Sequence, residues 1–216
     1  MLSIVMARLC IYSYKNEINQ PLPKPFETFE KVNEKNIQAY LFEGKKHLAV
    51  VFRGTDEISD IFNNINIFPV KTKIGRIHKG FYNAFLKINY LIKDKIETSE
   101  KKIFVTGHSL GAAIATIFSA VNKEKNPILI TFGSPMVGTK SFTKQNKDLL
   151  HIRWINSKDI ICKIPFFFSH FGEKRILESN SFFSLKKNHK IRKYFSLIEN
   201  LSFKNKFLEF EINLKI

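Results

Sequence analysis

Residues 105–113 read VTGHSLGAA, and this stretch decides the fold. It contains the pattern Gly-x-Ser-x-Gly, in which Ser109 lies between Gly107 and Gly111. An apolar segment precedes the pattern and an alanine-rich segment follows it, as in a sharp turn from a buried strand into a helix. Such a turn has no room for a side chain at either glycine, and it exposes the serine hydroxyl above the sheet. The sequence therefore predicts a nucleophile elbow at Ser109, against the alternative of a serine in a tight turn without chemistry.

Apolar runs alternate with helical patterns on both sides of this elbow. The spacing of apolar residues predicts helices over Leu2–Tyr14, Phe81–Ile96 and Leu110–Val121. Short apolar or alternating runs predict strands over 36–42, 47–52, 103–106, 128–132, 151–155 and, at the C-terminus, 208–216. The first two of these strands form a predicted hairpin. Buried strands that alternate with helices indicate an α/β fold with a mainly parallel central sheet.

The composition is that of a globular protein. The 216 residues predict a single domain over 1–216, and 44% hydrophobic with 25% charged residues excludes wholesale disorder and collagen-like repeats. Cys10 and Cys162 show no ligand spacing, so we expect no disulfide framework, no zinc site and no other cofactor. No apolar run reaches the ~20 residues that a bilayer-spanning helix needs, and Met1–Met6 lacks the features of a signal peptide. We therefore expect a cytoplasmic or peripheral membrane protein.

Five further motifs accompany the elbow in a fixed order. They are VFRGT (51–55), IHKGF (77–81), TFGSP (131–135), NSKD (156–159) with Pro165 beyond it, and HFGE (170–173). In combination they resemble the class 3 lipases, the α/β-hydrolase group that includes fungal triacylglycerol lipases and phospholipase A1-type enzymes. The resemblance covers roughly residues 1 to 195. It implies an α/β-hydrolase fold with helices on both faces of the sheet, and a serine carboxylic-ester hydrolase that cleaves acyl esters of glycerolipids through an acyl-enzyme.

The acid of a catalytic triad must follow Ser109, because hydrolases with this elbow run in the order serine, acid, histidine. Asp159 follows the predicted strand 151–155 and lies where a loop at the carboxyl end of that strand begins. Asp148 precedes the same strand and would lie at the wrong edge of the sheet. Glu173 is the remaining alternative and is interpreted as a surface charge. We therefore predict Asp159 as the acid.

Two histidines follow Asp159, and either is a candidate for the general base. His189 begins a His-x-x-x-x-Tyr pattern that resembles the corresponding family segment, so we favour it. Its Nε2 would take the Ser109 proton while Asp159 orients the other ring nitrogen. His170 lies in an aromatic segment, which favours a packed histidine. His108, inside the elbow, is predicted to be structural.

The predicted oxyanion hole uses two backbone donors. One is the N–H of Leu110, directly after the nucleophile, and the other is the N–H of Thr55, whose hydroxyl adds a third donor. Arg53 and His78 are interpreted as structural residues. No metal is needed for this chemistry.

A lid is predicted over Asp56–Val70. Its apolar residues Ile58, Ile61, Phe62 and Ile65 fall at helical spacing. This pattern is typical of a short amphipathic element that covers a site in water and meets lipid when it opens.

The 35 lysines and arginines against 19 acidic residues give a net charge of +16. Much of the excess lies in two segments without carboxylates, residues 61–93 and 186–193. Their cations are Lys71, Lys73, Arg76, Lys79, Lys87 and Lys93 in the first, and Lys186, Lys187, Lys190, Arg192 and Lys193 in the second. The resemblance places both segments at the mouth of the site, where a positive field would attract an anionic membrane surface. The alternative is a general lysine bias with solvated faces.

Two other functions compete with ester hydrolysis. A catalytically inactive α/β-hydrolase would serve as a basic membrane-binding adaptor, although a complete set of Ser109, Asp159 and His189 argues against it. A nucleic-acid binder is suggested by charge alone, and no nucleic-acid-binding motif accompanies that charge. We therefore expect a lipid or other ester substrate and no nucleic-acid partner.

Overall fold

A computed structural model describes residues 2–15, 17–55, 68–179 and 185–204 of the chain. Its strands are β1 (Thr28–Glu34), β2 (Ile37–Glu43), β3 (His47–Phe52), β4 (Pro69–Thr72), β5 (Gly75–His78), β6 (Lys102–His108), β7 (Ile128–Phe132), β8 (His151–Asn156) and β9 (Glu173–Leu177). Its α-helices are α1 (Leu2–Ser13), α2 (Lys79–Glu97), α3 (Leu110–Val121), α4 (Lys140–Gln145), α5 (Leu185–His189) and α6 (Ile191–Lys204). Short 3₁₀ helices cover Lys123–Lys125 and Ile160–Lys163.

Seven strands form one sheet in the order β1-β2-β3-β6-β7-β8-β9. Strand β2 is antiparallel to its neighbours β1 and β3, whereas β3, β6, β7, β8 and β9 run parallel. Strands β4 and β5 form a separate antiparallel hairpin. Because parallel strands end at the same edge, the residues that follow β3, β6, β7 and β8 meet at the carboxyl edge of the sheet. Ligands bind at this edge in open α/β sheets.

Helices cover both faces of the sheet. On one face, Phe85 of α2 and Phe118 of α3 share a hydrophobic core with Val50 of β3. On the other face, Met6 of α1 shares a second core with Val51 of the same strand. Successive strand residues point to opposite faces, so a strand covered on both sides must be apolar throughout. This arrangement confirms the predicted mainly parallel sheet with helices on both faces.

The agreement between the sequence predictions and the structure varies along the chain. The three predicted helices, the hairpin and the predicted strands between residues 36 and 155 are all present. Strand β1 was not predicted, because it is an exposed edge strand in which polar residues dominate. The β4–β5 hairpin was also missed, and Pro69 and Val70, predicted to end the lid, lie in β4. Residues 56–67 of the predicted lid and the predicted strand 208–216 lie outside the described residues.

The elbow glycines allow the backbone of α3 to pack directly against the backbone of the sheet. A Cβ built on Gly107 would lie 2.3 Å from the carbonyl oxygen of Gly111. A Cβ built on Gly111 would lie 2.1 Å from the carbonyl oxygen of Phe52. Both positions therefore exclude every residue except glycine, as the motif predicts.

His78 caps the N-terminus of α2 with its imidazole ring. Its Nδ1 accepts hydrogen bonds from the backbone N–H groups of Gly80 at 3.1 Å and Phe81 at 3.4 Å. The ring also stacks on the Phe81 ring with centroids 4.0 Å apart. Burial lowers the pKa of His78 from 6.5 to about 4. The cap therefore needs the neutral ring, because protonated Nδ1 has no lone pair to accept with and the helix N-terminus repels a cation.

We expect His78 to make the fold sensitive to acid. The unfolded chain protonates this histidine below about pH 6.5, whereas the folded chain resists protonation until about pH 4. Stability is therefore lost as the pH falls through this window. His78→Asn keeps a capping oxygen and should reduce the slope of unfolding free energy against pH by up to about 1.4 kcal/mol per pH unit.

Urea unfolding at several pH values measures this slope. His78→Ala should give the same slope as His78→Asn, with an additional loss of about 1 kcal/mol at every pH from the missing cap. A slope that equals that of the wild type in both variants would contradict the assignment.

Candidate active site

Ser109 occupies a strained turn between β6 and α3. Its backbone angles are φ 58° and ψ −127°, in a region that residues other than glycine rarely adopt. The Ser109 N–H donates to the carbonyl of Phe132 at 3.1 Å, and its own carbonyl accepts from Ala112 at 3.0 Å to start the helix. The turn therefore joins two parallel strands and one helix at a single residue.

The predicted exposure of the Ser109 hydroxyl is wrong. The residue is 1% exposed, and its Oγ has no hydrogen-bond partner among the described residues. The backbone of Gly54, after β3, lies beside Ser109: a Cβ built there would be 3.3 Å from the Ser109 Cβ. The burial was not predicted, because the local turn pattern carries no information on what packs around the hydroxyl.

Asp159 is buried at the carboxyl edge and accepts hydrogen bonds on both carboxylate oxygens. Oδ1 accepts from the backbone N–H of Ile161 at 3.0 Å, which caps the 3₁₀ helix Ile160–Lys163. Oδ2 accepts from Nδ1 of His189 at 2.7 Å and from the Tyr194 hydroxyl at 2.6 Å. The carboxylate is 1% exposed, so these donors replace the water that an ionised carboxylate requires.

His189 is the partner that the structure brings to Asp159. The hydrogen bond from Nδ1 places the proton on that nitrogen in the neutral ring, so Nε2 carries the lone pair. Nε2 is buried and has no hydrogen-bond partner among the described residues. The side chain of Asn156 fixes the segment by donating to the carbonyl of Asn188 at 2.8 Å. The free lone pair of Nε2 is the group that could accept a proton.

His108 links His189 to Tyr14, the residue that directly follows α1. Its Nε2 donates to the carbonyl oxygen of His189, so its Nδ1 is the acceptor for the Tyr14 hydroxyl at 2.8 Å. Burial and the neighbouring His189 keep the pKa of His108 well below its usual value. A neutral His108 satisfies both contacts at once. The contact with Tyr14 was missed in the sequence, since it joins residues 94 positions apart.

Gly133 is a second feature that sequence reasoning did not single out. It follows β7 with φ +58°, and a Cβ built on it would lie 3.1 Å from Oδ2 of Asp159 and 3.1 Å from Cε1 of His189. The absent side chain leaves room for the Asp159–His189 pair. The sequence feature that indicates this glycine is its position directly after a buried strand, in the TFGSP motif.

Tyr194 holds the carboxylate from α6. Its hydroxyl donates to Asp159 and accepts from the backbone N–H of Asn156 at 3.1 Å. Burial, together with the nearby Cys162 and Asp159, raises the pKa of Tyr194 well above its usual value, so the hydroxyl stays a donor. Burial likewise raises the pKa of the Cys162 thiol, whose Sγ is 3.8 Å from Oδ2 of Asp159.

The alternative acid and base residues lie elsewhere. His170 bonds through Nε2 to the carbonyl of Cys162 at 2.8 Å, and burial lowers its pKa to about 4. Asp148 is exposed and lines a groove with Lys102, at the amino ends of the strands. Glu173 is exposed and pairs with Arg175 at 2.8 Å.

A cavity of about 240 Å³ opens beside His189. Its lining residues are Tyr14, Thr55, His108, Lys186, His189, Lys190, Ile191 and Arg192. Thr55 therefore borders the same space as His189, and Leu110 follows Ser109 as the first residue of α3. The three cations in this lining are exposed, and none of the described lining residues is acidic.

The cations of the first basic segment do not line this cavity. Lys71, Lys73 and Arg76 lie on or beside the β4–β5 hairpin, whose turn packs against α4. A Cβ built on Gly75 in that turn would lie 2.6 Å from Cα of Phe142. The described lining of this cavity therefore contains cations of the second basic segment and none of these three residues.

The model of the lipase (class 3) family matches residues 49–169, more than half of the chain. The chain belongs to the class 3 lipase family. The match contains most of β3, the elbow and Asp159, while His189 lies beyond it.

The relatives of the chain include a protein named lipase and a protein named phospholipase A(1). Over 159 residues the chain is 28% identical to a lipase from Rhizomucor miehei, covering 64% of this chain and 44% of that lipase. Over 153 residues it is 25% identical to the chloroplastic phospholipase A(1) DAD1 of Arabidopsis thaliana, covering 56% of this chain and 34% of that protein. The chain thus spans less than half the length of either relative.

A solved structure confirms the predicted α/β-hydrolase fold. The triacylglyceride lipase of Rhizomucor miehei superposes with a TM-score of 0.71 at 23% identity, covering 83% of this chain and 80% of that one. Within residues 2–15, 17–55, 68–179 and 185–204, no helix has the length and apolarity to cross a bilayer. The same residues contain no group of three or more His, Cys, Asp or Glu side chains placed to hold a metal ion.

Proposed function

We propose that the chain is a serine carboxylic-ester hydrolase in which Ser109, Asp159 and His189 form the catalytic triad. The observation that carries the proposal is the 2.7 Å hydrogen bond from His189 Nδ1 to Asp159, which leaves a buried Nε2 without a partner. Ser109, in its strained turn, supplies a buried hydroxyl that also lacks a partner among the described residues. Acyl transfer requires a general base with a free lone pair and a nucleophile with a free hydroxyl, and these two residues supply them.

The reaction proceeds in two halves. His189 Nε2 removes the Ser109 proton as Oγ attacks the acyl carbonyl, and Asp159 stabilises the imidazolium that forms. The tetrahedral intermediate collapses when His189 returns the proton to the leaving alcohol, which breaks the ester bond and leaves an acyl-enzyme on Ser109. Water, activated by His189, then adds to the acyl group and releases the fatty acid and free Ser109.

The oxyanion is stabilised by one backbone donor at the start of α3 and by a second after β3. The N–H of Leu110 is the first donor, and the N–H of Thr55 with its hydroxyl is the second. Removing one donor of this kind typically costs about 2.7–4 kcal/mol of transition-state stabilisation. The positive end of the α3 dipole acts in the same direction.

The substrate that we propose is an acyl ester of a glycerolipid. Relatives named lipase and phospholipase A(1) support this class. The cations Lys186, Lys190 and Arg192 in the cavity lining favour a phospholipid, or another lipid with a negative headgroup, and favour contact with anionic membranes. Triacylglycerol is neutral and gains nothing from these charges.

Ser109→Ala and His189→Ala should each lower ester hydrolysis about 10⁴-fold or more, because each removes one member of the triad. His170→Ala is the matched control and should keep most of the activity, since His170 bonds to a backbone carbonyl and not to Asp159. Turnover of a soluble short-chain ester measures the effect, and circular dichroism confirms that each variant is folded. A fluorophosphonate probe should label the wild type at Ser109 and leave Ser109→Ala unlabelled.

Turnover like that of the wild type in Ser109→Ala would overturn the proposed function. A folded, inactive His170→Ala variant beside an active His189→Ala variant would instead assign the base to His170. A wild type that binds lipid but reacts with neither ester nor probe would identify an inactive adaptor.

The triple variant Lys186→Gln, Lys190→Gln, Arg192→Gln should lower hydrolysis of anionic phospholipid vesicles by at least about tenfold at low salt. Added salt should bring the wild type towards the variant, because exposed charges are screened beyond about 8 Å at physiological ionic strength. The variant Lys71→Gln, Lys73→Gln, Arg76→Gln changes the net charge equally on the β4–β5 side and is the control. Equal losses in the two triple variants would mean that only the net charge matters.

A further inference from the structure

The loop after β8 exposes large apolar side chains at the carboxyl edge. We name residues 157–171 the acid loop, because they include Asp159. Phe166 is 84% exposed, Phe167 is 47% exposed and Ile160 is 44% exposed, whereas Phe168 is buried. Neighbouring exposed apolar side chains of this size mark an interaction surface.

The acid loop holds these side chains in place. The backbone N–H of Ser169 donates to the carbonyl of Gly138 at 2.7 Å, and that of Met136 donates to the carbonyl of Ile164 at 2.8 Å. The buried Phe168 packs near the His78 ring, with centroids 5.6 Å apart. The loop is thus bonded on both sides of Phe166 and Phe167, and the two rings stay outside the core.

Phe68 extends this surface across the same edge. Its side chain is 71% exposed, and its carbonyl accepts from the N–H of Lys79 at 3.1 Å. Lys79 directly follows His78, the residue that Phe168 packs against. Exposed aromatic rings from two separate segments therefore lie at the edge that carries Asp159.

The charges of the acid loop show which partner suits it. Between Asp148 and Glu173 the only carboxylate is Asp159, which is 1% exposed. Lys158 and Lys163 are exposed in the same loop. The loop surface therefore combines apolar rings with positive charge and carries no exposed negative charge. This combination fits the boundary between anionic headgroups and acyl chains, where aromatic rings and lysines are both stabilised.

We propose that the acid loop docks the protein on an anionic lipid surface, with Phe166 and Phe167 inserted among the headgroups. Lys158 and Lys163 flank the inserted rings and contact the lipid phosphates. The inference rests on the proposed hydrolysis of glycerolipids, because docking at this edge brings the site to its substrate. In this proposal the aromatic rings anchor the protein in the lipid surface, in addition to the electrostatic attraction between that surface and the cations that line the cavity.

The test is partition onto vesicles of phosphatidylcholine and phosphatidylglycerol, measured by sedimentation. The Ser109→Ala protein is used, so that the lipids stay intact. Adding Phe166→Ser and Phe167→Ser should weaken partition at least about tenfold, also at about 0.5 M salt, where charge attraction is largely screened. Adding Leu86→Ser and Tyr90→Ser, which removes two exposed apolar side chains from α2, should leave partition unchanged.

A second measurement keeps the aromatic character of the loop. Phe166→Trp should show a blue-shifted emission when vesicles are added, whereas the wild type, whose only tryptophan is the buried Trp154, should not. Partition of the double phenylalanine variant equal to that of the α2 control would overturn the proposal. An unshifted Phe166→Trp emission with bound vesicles would overturn it too, and would assign the surface to a protein partner.

Soluble-ester turnover separates this inference from the proposed function. With Ser109 present, Phe166→Ser and Phe167→Ser should hydrolyse a soluble short-chain ester at the wild-type rate, which also shows that the variant is folded. Hydrolysis with no effect of the phenylalanines on partition would overturn docking alone. Partition that depends on them, in a protein without hydrolysis, would support docking and overturn the proposed function.

Discussion

The close contact between the start of α3 and the strands beneath it is the constraint on which the rest of the structure depends. Gly107 and Gly111 permit it, since a Cβ on either would lie within 2.3 Å of a backbone carbonyl oxygen. The contact fixes where α3 begins and therefore forces Ser109 to a φ of 58°. Strain of this kind costs about 1–3 kcal/mol and persists only where surrounding packing over-determines it. Burial of residues 110–120 of α3 supplies that packing.

Asp159 is the second fixed point, and it draws together segments that are distant in the sequence. Its partners His189 and Tyr194 lie 30 and 35 residues further along the chain. The raised pKa of Tyr194 keeps its hydroxyl a donor, and the lowered pKa of His108 keeps that ring neutral beside the base. Every group that the structure describes as bonded to the Asp159 carboxylate donates to it. The Nε2 atom of His189 is then left as a free hydrogen-bond acceptor. The proposed proton transfer follows from this direction of donation.

The parts of the fold that were predicted are those encoded by local pattern. The elbow, α3 and the buried strands have apolar runs or spacings that differ from their surroundings, and Asp159 and His189 follow from chain order and family resemblance. Strand β1 was missed because an edge strand needs little apolar surface. The contacts of Tyr14 and Gly133 depend on tertiary proximity that no local pattern records. The predicted exposure of the Ser109 hydroxyl is wrong for the same reason, since its burial depends on tertiary packing and not on the local turn.

A crystal structure of the protein after reaction with an alkyl phosphonate tests the central claim most directly. The adduct mimics the tetrahedral intermediate, so its phosphorus should be bonded to Ser109 Oγ. The phosphoryl oxygen should accept from the backbone N–H groups of Leu110 and Thr55, and Nε2 of His189 should lie within hydrogen-bond distance of Oγ. A phosphonate bonded to another residue, or a phosphoryl oxygen that points away from both N–H groups, would contradict the account.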